Sequence, residues 1–139
     1  MLLGYTTGVF DLFHTGHVNF LKAAKNFCDR LVVGVTTDEL AKEEKNKTPI
    51  ISLENRMAVL SACKYVDLAI PHNNSDKILV WNKLKFDVLI IGDDWYNSES
   101  YNYFEEQLKE KGVKVIYIPY TEGISASSIQ ERVLQNKGF

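Results

Sequence analysis

The chain has 139 residues, of which 45% are hydrophobic and 24% charged, a balance typical of one ordinary globular domain. Its formal net charge of -2 argues against a bulk electrostatic partner such as nucleic acid. No run approaches the roughly 20 apolar residues that a membrane span needs, and the first residues lack the features of a signal peptide. Two cysteines without CxxC spacing fit reduced thiols. We therefore expect a cytoplasmic protein with no membrane or nucleic-acid partner.

Short, almost continuously apolar runs alternate with segments of helical spacing. The apolar runs predict five strands, at 2–9, 30–36, 66–71, 87–92 and 113–119. The segments between and after them predict helices at 15–27, 52–64, 75–84, 98–111 and about 125–135. Four of these helices begin at serines suited to capping, Ser52, Ser75, Ser98 and Ser125. The charged stretch 38–51 is expected to be irregular.

This alternation predicts an α/β fold, a Rossmann-like doubly wound five-stranded parallel sheet with helices on both faces. It continues through residues 1–139 and indicates a single domain. Ligands of such sheets bind beyond the carboxyl ends of the strands, near the topological switch point. Functional residues are therefore expected directly after strands.

The first strand is followed by a run with two histidines three positions apart, His14 and His17, at the start of a helix. A helix N-terminus offers free N–H groups to phosphate oxygens, and Gly8 and Gly16 let the backbone approach an anion closely. The histidines can donate to an α-phosphate that gains charge under attack. A metal site is less favoured, because no third ligand lies at a recognisable spacing.

This run, Gly-x-Phe-Asp-x-x-His-x-Gly-His, resembles the signature of the cytidylyltransferase superfamily, and is most similar to its bacterial glycerol-3-phosphate cytidylyltransferase branch. Three further motifs continue the resemblance: Asp38-Glu39 after the second strand, Gly92-Asp93-Asp94-Trp95 after the fourth, and Thr121-Glu122-Gly123-Ile124-Ser125 after the fifth. All of them follow strands, in agreement with the switch-point rule.

The resemblance implies roles for individual residues. His14 and His17 would stabilise charge at the α-phosphate, and Lys45 and Lys47 would neutralise the triphosphate and the acceptor phosphate. The nucleotide would contact residues at the strand ends: Gly8, Val9, Phe10, Asp11, Gly16, Lys64, Gly92, Asp94, Tyr120, Thr121, Gly123, Ile124, Ser125 and Ser127. The acceptor would contact Asp11, Asp38, Arg56 and Trp95. Simpler alternatives are a solvated lysine loop, a surface ion pair for Arg56 and helix-capping serines, while His72 is expected to be structural or exposed.

Two residues depart from the family pattern. Tyr120 replaces the arginine that precedes Thr-Glu-Gly-Ile-Ser, and Lys64 replaces the arginine of Arg-Tyr-Val-Asp. Lysine keeps the charge but loses the bidentate geometry of arginine. Because the histidines are retained, these changes indicate a working enzyme with a shifted pocket.

The resemblance implies transfer of CMP from CTP to a small phosphorylated alcohol, with glycerol 3-phosphate as the best candidate, and release of pyrophosphate. The product would be a CDP-linked precursor of a cell-surface polymer. The resemblance also implies a homodimer, and Mg²⁺ bound mainly through the triphosphate rather than at a protein metal site. Two alternatives remain open: an adenylyltransferase that uses ATP with a sugar phosphate or flavin, and a non-catalytic nucleotide-binding module.

Overall fold

The computed structural model describes residues 1–92, 99–121 and 123–137. Its elements, in chain order, are β1 (Leu3–Gly8), α1 (Thr15–Lys25), β2 (Arg30–Thr36), α2 (Asp38–Lys45), α3 (Leu53–Ser61), β3 (Leu68–His72), α4 (Lys77–Leu84), β4 (Val88–Gly92), α5 (Glu99–Glu110), β5 (Lys114–Ile118) and α6 (Ala126–Lys137). None of the helices in these ranges combines the length and the hydropathy needed to cross a bilayer.

The five strands form one parallel sheet in the order β3-β2-β1-β4-β5. The chain moves outward from β1 to β3, then returns to the other side of β1 with β4 and β5. The switch point therefore lies between β1 and β4. The predicted fold class is confirmed.

The sheet separates two hydrophobic clusters, because successive side chains of a strand point to opposite faces. On the first face, Leu21 of α1 and Leu60 of α3 pack with Leu31, Val33 and other side chains of the sheet. On the second face, Leu108 of α5 packs with Tyr5, Leu89 and Ile91. The inner strands β2 and β4 are thus covered on both faces, which explains their nearly continuous apolar runs, whereas the edge strands β3 and β5 are partly exposed.

Two local expectations were wrong. The stretch 38–51 is not irregular throughout, because its first eight residues form α2. Thr37 caps this helix by accepting from Leu40 N–H, acidic residues occupy its first turn, and Leu40 is buried. Helix α4 is capped by Asp76 rather than Ser75, since the Asp76 carboxylate accepts from Ile78 N–H at 2.9 Å. The first error concerns whether a helix forms, and the second concerns which side chain caps it.

Candidate active site

The candidate site lies at the carboxyl edge of the sheet, beyond the switch point. The loop from β1 to α1 leaves the end of β1 at Gly8, and the neighbouring strand β4 ends at Gly92. The segment after β5 reaches the same place: Asn19 of α1 donates to Thr121 Oγ1 at 3.2 Å. The first and last motifs of the sequence therefore meet at one edge, as predicted.

The β1–α1 loop turns through two unusual backbone conformations. Phe10 and Leu12 have φ angles of 55° and 50°, in the left-handed region that bulky side chains rarely adopt. The ring of Phe10 lies against Gly8, where a Cβ would come within 2.8 Å of Phe10 Cε2. Its edge also faces the ring of His17, at 5.4 Å between centroids. Close packing of Phe10 thus holds the turn that positions the histidines.

His14 and His17 form a reciprocal capping box at the start of α1. Gly16 N–H donates to His14 Nδ1 at 3.0 Å, and His14 N–H donates to His17 Nδ1 at 3.2 Å. A ring nitrogen that accepts a hydrogen bond carries no proton, so each neutral imidazole keeps its proton on Nε2. The backbone therefore fixes both rings as Nε2–H donors.

The two imidazoles lie face to face, with centroids 3.8 Å apart and an interplanar angle of 25°. Burial lowers the pKa of His17 to about 4, the charge of His14 acts in the same direction, and Asp11 opposes them. Burial also lowers the pKa of His14. Both rings are consequently neutral near pH 7, in the form that offers an Nε2–H.

We expect NMR titration to show the neutral Nε2–H tautomer of His17 at pH 7 and a midpoint near pH 4 rather than near 6.5. The unfolded chain then binds the extra proton more readily than the folded chain. The His17 contribution to the free energy of unfolding should be complete above pH 6.5 and should decline as pH falls toward 4. A His17 midpoint at or above 6.5 would contradict this description of the ring pair.

Gly16 is required by the position of His14. A Cβ at Gly16 would lie 2.8 Å from His14 Cε1 and 3.0 Å from Nδ1, so any side chain there displaces the ring. The same Cβ position is 3.5 Å from Ile124 Cγ2, which places the segment before α6 beside the start of α1. The N-termini of α1 and α6 therefore come close to each other.

The start of α6 is held by a pair of serines. Ser125 Oγ accepts from Ser128 N–H at 3.0 Å, and Ser128 Oγ accepts from Ser125 N–H at 2.9 Å. Gly123 precedes them with a φ of 84°, a conformation that suits glycine. The side chain of Ser127, in the first turn, is exposed. Two adjoining helix N-termini with an exposed hydroxyl can bind an extended anion such as a triphosphate.

Tyr120 borders this region from the end of β5. Its ring stacks on Phe20 of α1 with centroids 6.0 Å apart, and its hydroxyl lies against Gly92, where a Cβ would collide with it. The side chain is 54% exposed. Tyr120 thus presents an aromatic face and a hydroxyl at the end of β4, where the family has an arginine.

Asp11 has an internal role in the structure. Its carboxylate accepts from Ile50 N–H at 2.8 Å and Ile51 N–H at 3.0 Å, and also from Leu12 N–H at 3.1 Å. These bonds fix the segment after α2 to the histidine loop. Both oxygens of Asp11 accept hydrogen bonds from backbone N–H groups in this structure. The arrangement therefore indicates a structural role for Asp11 rather than the expected contact with the acceptor.

Arg56 is also engaged within the protein and is only 2% exposed. Its guanidinium donates to the carbonyl oxygens of Val9 and Thr36, at 2.8 and 2.7 Å, and of Ile51, at 2.8 Å. The remaining terminal nitrogen pairs with the Asp38 carboxylate. In this structure Arg56 therefore connects strand ends and loops, while the acceptor contacts of Arg56 and Asp38 stay predictions.

The predicted lysines fall into two groups. Lys45 and Lys47 are exposed at the end of α2, in the segment that Asp11 anchors at Ile50. Lys64 lies instead before the amino end of β3, with its Nζ 5.3 Å from the Tyr65 ring centroid. A five-residue strand is about 16 Å long, so Lys64 is at the opposite edge of the sheet from the histidines. The structure therefore does not bring Lys64 together with the histidines of the same chain, and its nucleotide contact stays a prediction.

Two predicted contacts, Asp94 and Trp95, lie outside the described residues, as do Asp93 and Glu122 of the same motifs. Within the described ranges, no group of three or more His, Cys, Asp or Glu side chains is arranged to hold a metal ion.

Comparison with known proteins shows the family of this chain. The cytidylyltransferase-like family model matches residues 5–132. The chain belongs to this family. The glycerol-3-phosphate cytidylyltransferase of Bacillus subtilis (strain 168) is 36% identical over 135 residues, covering 92% of this chain and 94% of the relative. An FAD synthase of Thermococcus sibiricus is 39% identical over 118 residues, with coverage of 83% and 78%.

A solved structure has a similar fold. The lipopolysaccharide core biosynthesis protein of Thermoplasma volcanium GSS1 aligns with a TM-score of 0.73 and 31% identity, over 87% of this chain and 97% of that one. The expected enzyme class, a nucleotidyltransferase of the cytidylyltransferase type, is confirmed by these relationships.

Sequence reasoning missed one cluster at the same edge of this cytidylyltransferase-like domain. His72 ends β3 and Lys77 begins α4, and they are only 4% and 3% exposed. The available signal was positional, because both residues flank the end of a predicted strand. Of the two alternatives considered for His72, the buried structural one is correct.

Proposed function

We propose that the protein transfers CMP from CTP to a small phosphorylated alcohol, with glycerol 3-phosphate as the best candidate, and releases pyrophosphate. One observation carries the proposal: two neutral histidines with both Nε2–H groups fixed by the backbone, at a helix N-terminus beyond the switch point. Donors of this kind stabilise negative charge that develops on a phosphoryl oxygen.

In the proposed reaction, an oxygen of the acceptor phosphate attacks the α-phosphorus of CTP. A new P–O bond forms as the bond between the α-phosphorus and the bridging oxygen breaks, and pyrophosphate leaves with that electron pair. The acceptor phosphate is already ionised near neutral pH, so no general base is needed. Catalysis then depends on alignment and charge stabilisation. The Nε2–H groups of His14 and His17 would donate to the α-phosphate.

The remaining parts of the site support binding of a triphosphate. The N-termini of α1 and α6 adjoin, with Ser127 exposed in the first turn of α6, and Lys45 and Lys47 extend from the neighbouring segment. Mg²⁺ would enter with the nucleotide and supply charge neutralisation at the leaving pyrophosphate. The donor set fits this arrangement, because the carboxylates of Asp11 and Asp38 are bound by protein N–H groups and leave the phosphates as the main ligands.

Similarity to an FAD synthase supports a second candidate function, in which the protein uses ATP instead of CTP. The observation that keeps it open is Tyr120, whose exposed ring and hydroxyl lie near the end of β4 in place of an arginine. Tyrosine can stack on either base, so the exchange alone does not choose between them. The proposed homodimer and role in cell-surface polymer synthesis rest on the family relationship, and the proposed cytoplasmic location rests on the sequence composition.

Pyrophosphate release in Mg²⁺ tests the proposal, with CTP and ATP each offered glycerol 3-phosphate, choline phosphate, ethanolamine phosphate, sugar phosphates and FMN. We expect turnover with CTP and glycerol 3-phosphate. Turnover with CTP and another phosphorylated alcohol would change the acceptor and keep the mechanism. Turnover with ATP alone would overturn the choice of base, and nucleotide binding without any turnover would identify a non-catalytic module.

A further inference from the structure

Two neighbouring residues of α1 contact two neighbouring residues of the segment after β5. Asn19 donates to Thr121 Oγ1 at 3.2 Å, and the ring of Phe20 stacks on the ring of Tyr120, with centroids 6.0 Å apart and an interplanar angle of 20°. Phe20 belongs to the hydrophobic cluster of the first face and is 8% exposed. Tyr120 therefore rests on a ring that the core fixes in place.

The Tyr120 ring extends over the end of β4. A Cβ at Gly92 would lie 2.1 Å from the Tyr120 hydroxyl oxygen and 2.3 Å from its Cζ, so the phenol occupies the place that a side chain of residue 92 would take. Val88 and Ile90 belong to the cluster of the first face, and alternate residues of a strand share a face. The phenol thus lies on the same face as α1, beside the switch point between β1 and β4.

This position is close to the donors proposed for the α-phosphate. Phe20 follows His17 by three positions in α1, which corresponds to about 4.5 Å along a helix axis. Tyr120, stacked on Phe20, is therefore near the histidine pair and on the same face of the sheet. The base and the α-phosphate of a nucleotide are separated only by the ribose, so one nucleotide can reach both places.

Tyr120 offers a nucleotide an aromatic surface rather than a positive charge. The residue is 54% exposed although one face of its ring is stacked on Phe20. Aromatic rings placed in this way stack on nucleobases, and the contact tolerates every base because each base has a π-face. In the proposed function the phosphates have other partners, at the N-termini of α1 and α6 and at Lys45 and Lys47. A cation at position 120 is therefore not required.

We propose that Tyr120, supported by Phe20, is the surface on which the base of the nucleotide stacks, and that this contact replaces a charged one at position 120. The inference rests on the proposed function for the place of the nucleotide. It applies to CTP and to ATP, because stacking on an aromatic ring distinguishes bases only weakly. Selection between the two nucleotides then depends on groups that meet the edge of the base.

Isothermal titration calorimetry in Mg²⁺ tests the proposal by measuring Kd of CTP and ATP for the wild type, Tyr120→Leu and Tyr120→Phe. The matched control is Tyr103→Leu, because Tyr103 is also exposed, at 61%, and belongs to α5 on the second face. In Tyr120→Leu we expect Kd of the nucleotide that the wild type binds more tightly to rise about 5- to 150-fold, the range for losing one base-stacking contact. Tyr120→Phe keeps the ring, so it should stay within about 3-fold of the wild type, as should Tyr103→Leu.

Inorganic tripolyphosphate separates a contact with the base from a contact with the phosphates. It has the phosphate chain without the base, so its Kd should change by less than about 2-fold in Tyr120→Leu while that of the nucleotide rises. Tyr120→Arg adds a cation and a forked donor at the same place. We expect this variant to bind tripolyphosphate more tightly, with a steeper dependence of Kd on salt concentration than in the wild type.

Two results in Tyr120→Leu would overturn the stacking surface: a nucleotide Kd within about 2-fold of the wild type, or an equal rise for nucleotide and tripolyphosphate. A lower nucleotide Kd would also overturn it, because the ring would then cover the site and oppose binding. Urea unfolding checks that the variant is folded, and Tyr120→Gln takes its place if it is not.

Pyrophosphate release distinguishes failure of this inference from failure of the proposed function. Loss of nucleotide affinity in Tyr120→Leu, combined with no turnover by the wild type, would overturn the proposed function and keep the stacking contact. Turnover by the wild type with an unchanged Kd in the variant would overturn the stacking contact alone. A wild type that binds neither CTP nor ATP would overturn both.

Discussion

Replacing His14 or His17 with alanine is expected to lower kcat by about 10²–10³, the usual cost of removing one donor to a developing negative charge. The reason is geometric: backbone N–H groups occupy both Nδ1 atoms and leave Nε2–H as the only ring donor of each residue. Pyrophosphate release at saturating CTP and acceptor measures the effect. In His14→Ala the free energy of unfolding should also fall, by about 1 kcal/mol, because the helix cap is lost.

Asparagine variants separate these two roles. In His14→Asn the side-chain oxygen can take the place of Nδ1 as acceptor and keep the cap, while no donor remains at the Nε2 position. We therefore expect wild-type stability in urea with the same loss of kcat as in the alanine variant. Near-normal kcat in folded His14→Asn and His17→Asn would refute the donor mechanism. If both donors act on one charge, the double variant should lose less than the product of the single losses.

The sequence predicted the parts of the site that depend on chain order. Each motif follows an apolar run, and parallel strands bring their carboxyl ends to one edge, so the meeting of Gly16 and Ile124 follows from the topology. Gly8 and Gly16 were singled out for close approach of the backbone. Two intramolecular contacts, of Gly8 with Phe10 and of Gly16 with His14, give the reason in the free chain.

What the sequence did not predict depends on where polar side chains point. The charges of 38–51 suggested a loop, but a threonine cap and the charge order along the segment stabilise α2. The sequence does not show whether Arg56 lies on the surface or in the core. Only the fold shows that three carbonyl oxygens surround its guanidinium. Lys64 was predicted to contact the nucleotide because it matches a family motif. That motif precedes β3, at the edge of the sheet opposite the histidines. Motif matching supplies residue types, whereas packing decides which groups remain for the substrate.

Arg56 and Asp11 together give the site its shape through internal bonds. Arg56 joins the ends of β1 and β2 to the segment before α3, and Asp11 joins that same segment to the histidine loop. The donors and the lysines are thereby placed relative to each other without any contact between them. This coupling predicts that Arg56 affects every substrate equally.

Arg56→Met is accordingly expected to lower the free energy of unfolding by about 3–5 kcal/mol, the range for breaking a buried ionic tie. Methionine fills similar volume but leaves the buried carbonyl oxygen of Thr36 without its donor, at about 1–3 kcal/mol, and the partly buried ones of Val9 and Ile51 at a smaller cost. Asp38 contributes less, since its side chain is 37% exposed and water can solvate it. Urea unfolding measures the change.

Arg30→Met is the matched control, because Arg30 is 62% exposed and its contact with Asp67 is 3.8 Å long. Its effect on stability should stay below about 1 kcal/mol. Arg56→Lys keeps the charge without the fork and should recover only part of the loss. At a temperature where Arg56→Lys is folded, the KM values of CTP and acceptor should change together. Full stability combined with a selective rise in acceptor KM would instead make Arg56 a phosphate ligand, since a tie between strand ends has no means of distinguishing one substrate from the other.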